Sequence, residues 1–161
     1  MKFIRNLLVS VGFIGYFPFA SGTVASFFAA ILYYFCFGFL SRAEIINLYP
    51  NLIVIAGIII VSLIFIPIIK SAEKELGHDS HKIVIDEVLG YFVAVLFLPH
   101  SLMVAIYAFI FFRIFDIAKP PFINELQSLP HGWGVICDDL LAGIYANICL
   151  QILLIVFPQF F

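Results

Sequence analysis

Residues 52–69 read LIVIAGIIIVSLIFIPII, a run without a single charged side chain. A helix crossing the hydrocarbon core of a bilayer needs about 20 predominantly apolar residues, with about 17 as the lower limit. The run meets that requirement and predicts a membrane-spanning helix. Working outward, residues 24–40 and 140–157 are also apolar and uncharged, and they predict two more spans. The stretch 83–118 is apolar through its middle but is divided by Pro99-His100-Ser101, a turn-like break that helix interiors avoid. It reads as two short spans, 83–98 and 102–118, forming a helical hairpin.

The whole composition agrees. Hydrophobic residues make up 64% of the 161 and charged residues 11%, whereas a soluble domain is about a quarter charged. The expected fold is all-α: an integral membrane helical bundle of about five short spans (four to five), with residues 1–161 as one domain. Residues 1–23 read as an amphipathic or irregular segment near the interface, because Gly12, Gly15 and Pro18 oppose one continuous helix. The same residues interrupt what would otherwise be an apolar signal region, so no removed signal peptide is expected. Residues 41–51 and 71–82 read as loops, and 120–137 as a longer connection rich in Pro, Gly and aromatic residues. Cys36, Cys137 and Cys149 show no C-x-x-C spacing and predict neither a disulfide framework nor a zinc site. The net charge of −2, without a basic stripe, argues against nucleic acid as a partner. Nothing in the sequence bears on oligomeric state.

Lys and Arg concentrate in cytoplasmic loops of membrane proteins. With five spans and a cytoplasmic N-terminus, Lys2, Arg5, Lys70, Lys74, Lys82, Arg113 and Lys119 lie inside and Arg42 alone lies outside. This topology sorts the reactive side chains as well. Ser21-Gly22-Thr23 precedes the first span, Asp79 to Glu87 opens the third, Arg113 to Lys119 closes the fourth, and Asp138-Asp139 opens the fifth. All four fall at the cytoplasmic boundary, which predicts an active site at that mouth of the bundle.

Six carboxylates then gather there: Asp79, Asp86, Glu87, Asp116, Asp138 and Asp139. Crowded next to hydrocarbon they repel one another and resist desolvation unless a cation joins them. Oxygen ligands without a His or Cys cluster favour a hard ion, Mg²⁺ first. Arg113 and Lys119 can hold a phosphate, the former by a bidentate fork and the latter as a point charge. Arg113 and Asp116 are three apart and share a helix face. Ser21, Gly22 and Thr23 stand at a helix start, where backbone N–H groups make an anion seat. Taken singly, each feature has a plainer reading: Asp138 or Asp139 as a helix cap, Arg113 with Asp116 as a boundary ion pair. Their convergence carries the functional reading. A small ion transporter or channel is the alternative, since carboxylates at a membrane boundary also mark ion paths.

The phrases FPFASGTVASF, HDSHKIVIDEVLGYF, FFRIFDIAKPPFI and GWGVICDDLLAG, in that order, resemble the phosphatidylglycerophosphatase A family from about Gly12 to Ala146. The resemblance implies a Mg²⁺-dependent lipid phosphatase of the bacterial inner membrane. Its substrate would be phosphatidylglycerol phosphate, hydrolysed to phosphatidylglycerol and inorganic phosphate. The resemblance leaves the division of labour among the carboxylates open, and the chemistry of the residue types suggests the roles. Asp79, Asp86, Arg113, Asp116 and Lys119 would be catalytic; Ser21, Gly22, Thr23, Arg113 and Lys119 would bind the substrate phosphate; and Asp86, Glu87, Asp116, Asp138 and Asp139 would hold metal. Water and an aspartyl side chain both remain open as the nucleophile.

Overall fold

A computed structural model of the chain describes residues 2–37, 48–77, 80–130 and 132–160. Among them every regular element is helical. In chain order the α-helices are α1 (Lys2–Val9), α2 (Ser21–Leu32), α3 (Leu48–Leu76), α4 (Ile85–Ala94), α5 (Leu102–Ala118), α6 (Pro121–Gln127) and α7 (Trp133–Val156). A π-helical turn, Tyr33–Phe37, extends α2.

α4 is the centre of the bundle. It packs against α7, α2, α5 and α3, and Asp86, Val88, Leu89, Gly90, Tyr91 and Ala94 are all buried. Its neighbours turn small residues inward: Ala25 and Ala29 from α2, Ala105 and Ala108 from α5, Ala142 and Ala146 from α7. They recur at three- and four-residue spacing, the period that keeps side chains on one helix face. A second apolar cluster joins Val9 to Ile66, Ile69 and Ala72 of α3 and to Val135 and Ile136 of α7.

Large aliphatics lie on the outside instead. Met103, Ile106, Ile110, Ile114 and Ile117 form the outer stripe of α5, and Ile144, Ile148, Ile152 and Ile155 that of α7.

Two helices, α3 and α7, are long and apolar enough to cross a membrane. The five expected spans are therefore not all present as helices of crossing length among the described residues. The expected span 83–98 is the clearest difference. The helix there has 10 residues, and at about 1.5 Å per residue it covers roughly half of a hydrocarbon core about 30 Å thick. Its abrupt end is held by other elements. Asn147 Nδ2 donates to the carbonyls of Ala94 (3.0 Å) and Leu96 (2.7 Å), and the Phe97 amide donates to Asn51 Oδ1 at 2.8 Å. These bonds satisfy backbone groups that a helix end leaves open.

Other expectations need correction at their edges. Residues 71–76 continue α3 rather than forming a loop, and the connection 120–137 contains α6 and the start of α7. Pro121 occupies the first turn of α6, where its missing N–H costs nothing, and Gly132 caps α7 with φ 71°. The break at Pro99-His100-Ser101 is present: Ser101 Oγ caps α5 by accepting from the Val104 amide at 3.0 Å. The N-terminal segment is irregular as expected, with Val11, Gly12 and Phe13 all at positive φ.

Candidate metal and phosphate site

Asp86 and Glu87 stand in the first turn of α4, where the helix dipole favours negative charge. Asp138 and Asp139 were expected at a helix start as well. α7 instead begins more than a turn earlier, at Trp133, because Gly132 supplies the left-handed cap. The two aspartates therefore project from the body of the helix and are buried, at 3% and 4% exposure.

Across the α4–α7 interface, oxygens of Asp86, Glu87 and Asp139 lie within 4.8 Å of one another. Asp86 Oδ1, Glu87 Oε2 and Asp139 Oδ2 are each buried without a hydrogen-bond partner. Asp116 and Asp138 add to the negative field around the three. Buried acceptors without donors cost stability, and like charges at this spacing repel. A hard cation would relieve both, and the all-oxygen donor set suits Mg²⁺.

The two expected phosphate-binding cations flank this trio. Arg113 Nη1 donates to Asp116 Oδ2 at 2.5 Å, the anticipated i,i+3 pair, while Arg113 Nε is buried without an acceptor. Lys119 ends α5 in a left-handed conformation (φ 40°), and its Nζ donates to Asp138 Oδ2 at 2.8 Å. Asp116 and Asp138, expected as metal ligands, thus each hold one of the two cations.

Ser21, Gly22 and Thr23 form the first turn of α2 rather than preceding it, since the left-handed residue before the helix is Ala20. Ser21 Oγ donates to the His81 carbonyl at 2.5 Å, so its hydroxyl ties α2 to the segment before α4. Gly22 lies against the site itself. A Cβ added there would run into the Glu87 carboxylate and lie 3.2 Å from Arg113 Nη1. Thr23 is half-buried. Asp79 lies outside the described residues.

The four polar stretches thus meet at one end of the bundle through Ser21, Gly22, Asp86, Glu87, Arg113, Asp116, Lys119, Asp138 and Asp139. His100 marks the other end, stacked on Tyr34 and packed beside Tyr33. Sequence reasoning did not single out the backbone of His81 and Lys82. The first receives Ser21, and the carbonyl of the second is so close to Gly15 that no side chain fits there. A backbone contact leaves no mark on residue type, apart from the glycine it requires.

The phosphatidylglycerophosphatase A family matches residues 7–154. The chain belongs to that family. Its members are phosphatases, and this chain is accordingly a phosphatase enzyme. Among curated relatives, the phosphatidylglycerophosphatase A of Escherichia coli (strain K12) is 34% identical over 141 residues, 85% of this chain and 76% of that protein. The Haemophilus influenzae protein of the same name is 42% identical over 73 residues, 44% of this chain and 45% of its own length. A Bacteroides thetaiotaomicron protein with a provisional phosphatidylinositol-3-phosphatase name is 31% identical over 153 residues, 91% of both chains. No solved structure matches the chain.

Proposed function

We propose that this chain is a Mg²⁺-dependent, membrane-embedded phosphatase that converts phosphatidylglycerol phosphate to phosphatidylglycerol and inorganic phosphate. Family membership supports the phosphatidylglycerophosphatase reaction. The observation that carries the cation requirement is the buried trio Asp86, Glu87 and Asp139, each with an oxygen lacking a partner.

In this reading Asp86, Glu87 and Asp139 hold Mg²⁺, which when bound supplies Lewis-acid polarisation of the phosphoryl group. Arg113 offers its free Nε–H to a phosphate oxygen, with Asp116 fixing the guanidinium plane. Lys119, oriented by Asp138, supplies a second positive charge. Both cations are placed before substrate arrives, so they stabilise developing charge without reorganising. Gly22 lets the start of α2 approach the same phosphate closely. Asp79, from the segment before α4, is proposed for proton transfer.

The membrane setting is supported by the lengths of α3 and α7 and by isoleucine stripes that face outward while alanines face in. Water does not favour that distribution, whereas lipid chains do. Seven of eight Lys and Arg fall on the site's side of the expected topology, which supports a site at the cytoplasmic face of a bacterial inner membrane.

A second lipid deserves a place in the assay, because the Bacteroides relative aligns along 91% of the chain. Phosphatidylinositol 3-phosphate and phosphatidylglycerol phosphate are both phosphomonoesters on a lipid headgroup. Purified protein should release phosphate from phosphatidylglycerol phosphate, lose that activity in EDTA and regain it with Mg²⁺. Preference for the inositol lipid would reassign the substrate, and release indifferent to EDTA would sink the metal reading. Ion flux into liposomes without phosphate release would favour a transporter.

A further inference from the structure

α4 and α7 meet through two glycines. A Cβ at Gly143 would collide with the carbonyl oxygen of Gly90 and lie 2.9 Å from Val93 Cβ. A Cβ at Gly90 would fall 2.6 Å from the carbonyl oxygen of Asp139 and 2.6 Å from the Phe112 ring. Neither glycine has a positive φ, so backbone freedom does not explain them. Glycine weakens a helix relative to alanine, which leaves space as the reason for both.

Their positions connect this contact to the carboxylates. Gly90 follows Asp86 by four residues and Gly143 follows Asp139 by four, so each lies one turn along the same helix face as its aspartate. One turn away, Asp86 and Asp139 bring carboxylate oxygens within 4.8 Å of each other, and each has a buried oxygen, Oδ1 and Oδ2 respectively, without a hydrogen-bond partner. The separation of the two backbones at the glycines therefore fixes the gap between the two carboxylates.

We propose that Gly90 and Gly143 are positioning residues that set the width of the cation site. The proposal rests on the cation reading above. Mg²⁺ needs near-octahedral oxygen ligands at about 2.0–2.1 Å and tolerates little spreading. A methyl group at either glycine would push α4 and α7 apart and open the trio.

The test is a Mn²⁺ titration of the purified protein, followed by electron paramagnetic resonance, with Mg²⁺ as competitor and a thermal melt of each variant. Gly90→Ala and Gly143→Ala should weaken cation binding by about ten-fold or more, the scale of losses around metal sites. Gly134→Ala is the packing control, since a Cβ there would meet the carbonyls of Gln127 and Leu129 instead. It should lower the melting temperature and leave cation affinity unchanged. Gly57→Ala, with no atom within 4 Å of the new Cβ, should change neither.

Native affinity in both Gly90→Ala and Gly143→Ala would overturn the proposal, as would an equal loss in Gly134→Ala. If the alanine variants do not fold, Asp86→Glu decides in the native glycine background. A gap held at fixed width rejects the extra methylene and loses affinity, and an unchanged affinity overturns the proposal. Wild-type protein that takes up no Mn²⁺ would overturn the cation reading and this inference together. That result is distinct from wild-type binding that the glycine variants preserve.

Discussion

Asp86 is a carboxyl whose charge the unliganded site opposes and a bound cation would hold. Its Oδ1 has no donor, and Glu87 and Asp139 lie within 4.8 Å. Asp86→Asn therefore has opposite expected effects with and without metal. In EDTA the variant should melt above wild type, because one of three crowded acidic groups is gone. With saturating Mg²⁺ the order should reverse, since wild type gains binding energy that the variant lacks. A wild type that melts higher in both conditions would count against the trio as a cation site. Arg113 supports a separate expectation. Lysine keeps the charge but loses the planar fork that pairs with Asp116 while leaving Nε free. Arg113→Lys should cut phosphate release by about 10²-fold with little change in melting temperature. At this scale the sequence was highly legible. Charged side chains in so apolar a chain stand out individually, and those that the structure describes come together. Residue spacing revealed the Arg113–Asp116 pair, but not that Lys119 engages Asp138 or that Asp139 faces Asp86.

α4 sets the architecture among the elements. It is too short to cross a bilayer, it is buried on most sides, and its C-terminal end is held by Asn147 and Asn51. Asn147→Ala would leave the carbonyls of Ala94 and Leu96 without these donors in an apolar setting. A loss of about 1–3 kcal/mol is expected, measured by denaturation of the detergent-solubilised protein. A smaller effect would mean that other donors reach those carbonyls. Apolar runs and the Pro99-His100-Ser101 break revealed most helices in advance. Their ends were less legible for a local reason. Pro120-Pro121 and Gly132 read as loop residues, yet Pro121 opens α6 and Gly132 caps α7. The same residues that interrupt helices also start them, and only the surrounding contacts distinguish the cases. The placement of Asp138-Asp139 followed from that ambiguity, because an earlier start to α7 moved the pair from the helix cap into its body.

The whole molecule turns alanines of α2, α5 and α7 inward and isoleucine stripes of α5 and α7 outward, around a polar centre at one end. Such a surface should keep the protein in the membrane fraction after alkaline carbonate extraction, and release into the supernatant would contradict a membrane-embedded bundle. The sequence by itself determined the helical class, the family, and the set of charged residues gathered at one end. Hydrophobicity and charge are properties of each residue, and they are visible without coordinates. Only the tertiary structure decided that the span expected at 83–98 is a ten-residue central helix, that Asp86, Glu87 and Asp139 form the close trio, and that two glycines bring their helices together. The distance between two helices depends on the side chains of both at the point of crossing. No single stretch of the chain contains that information.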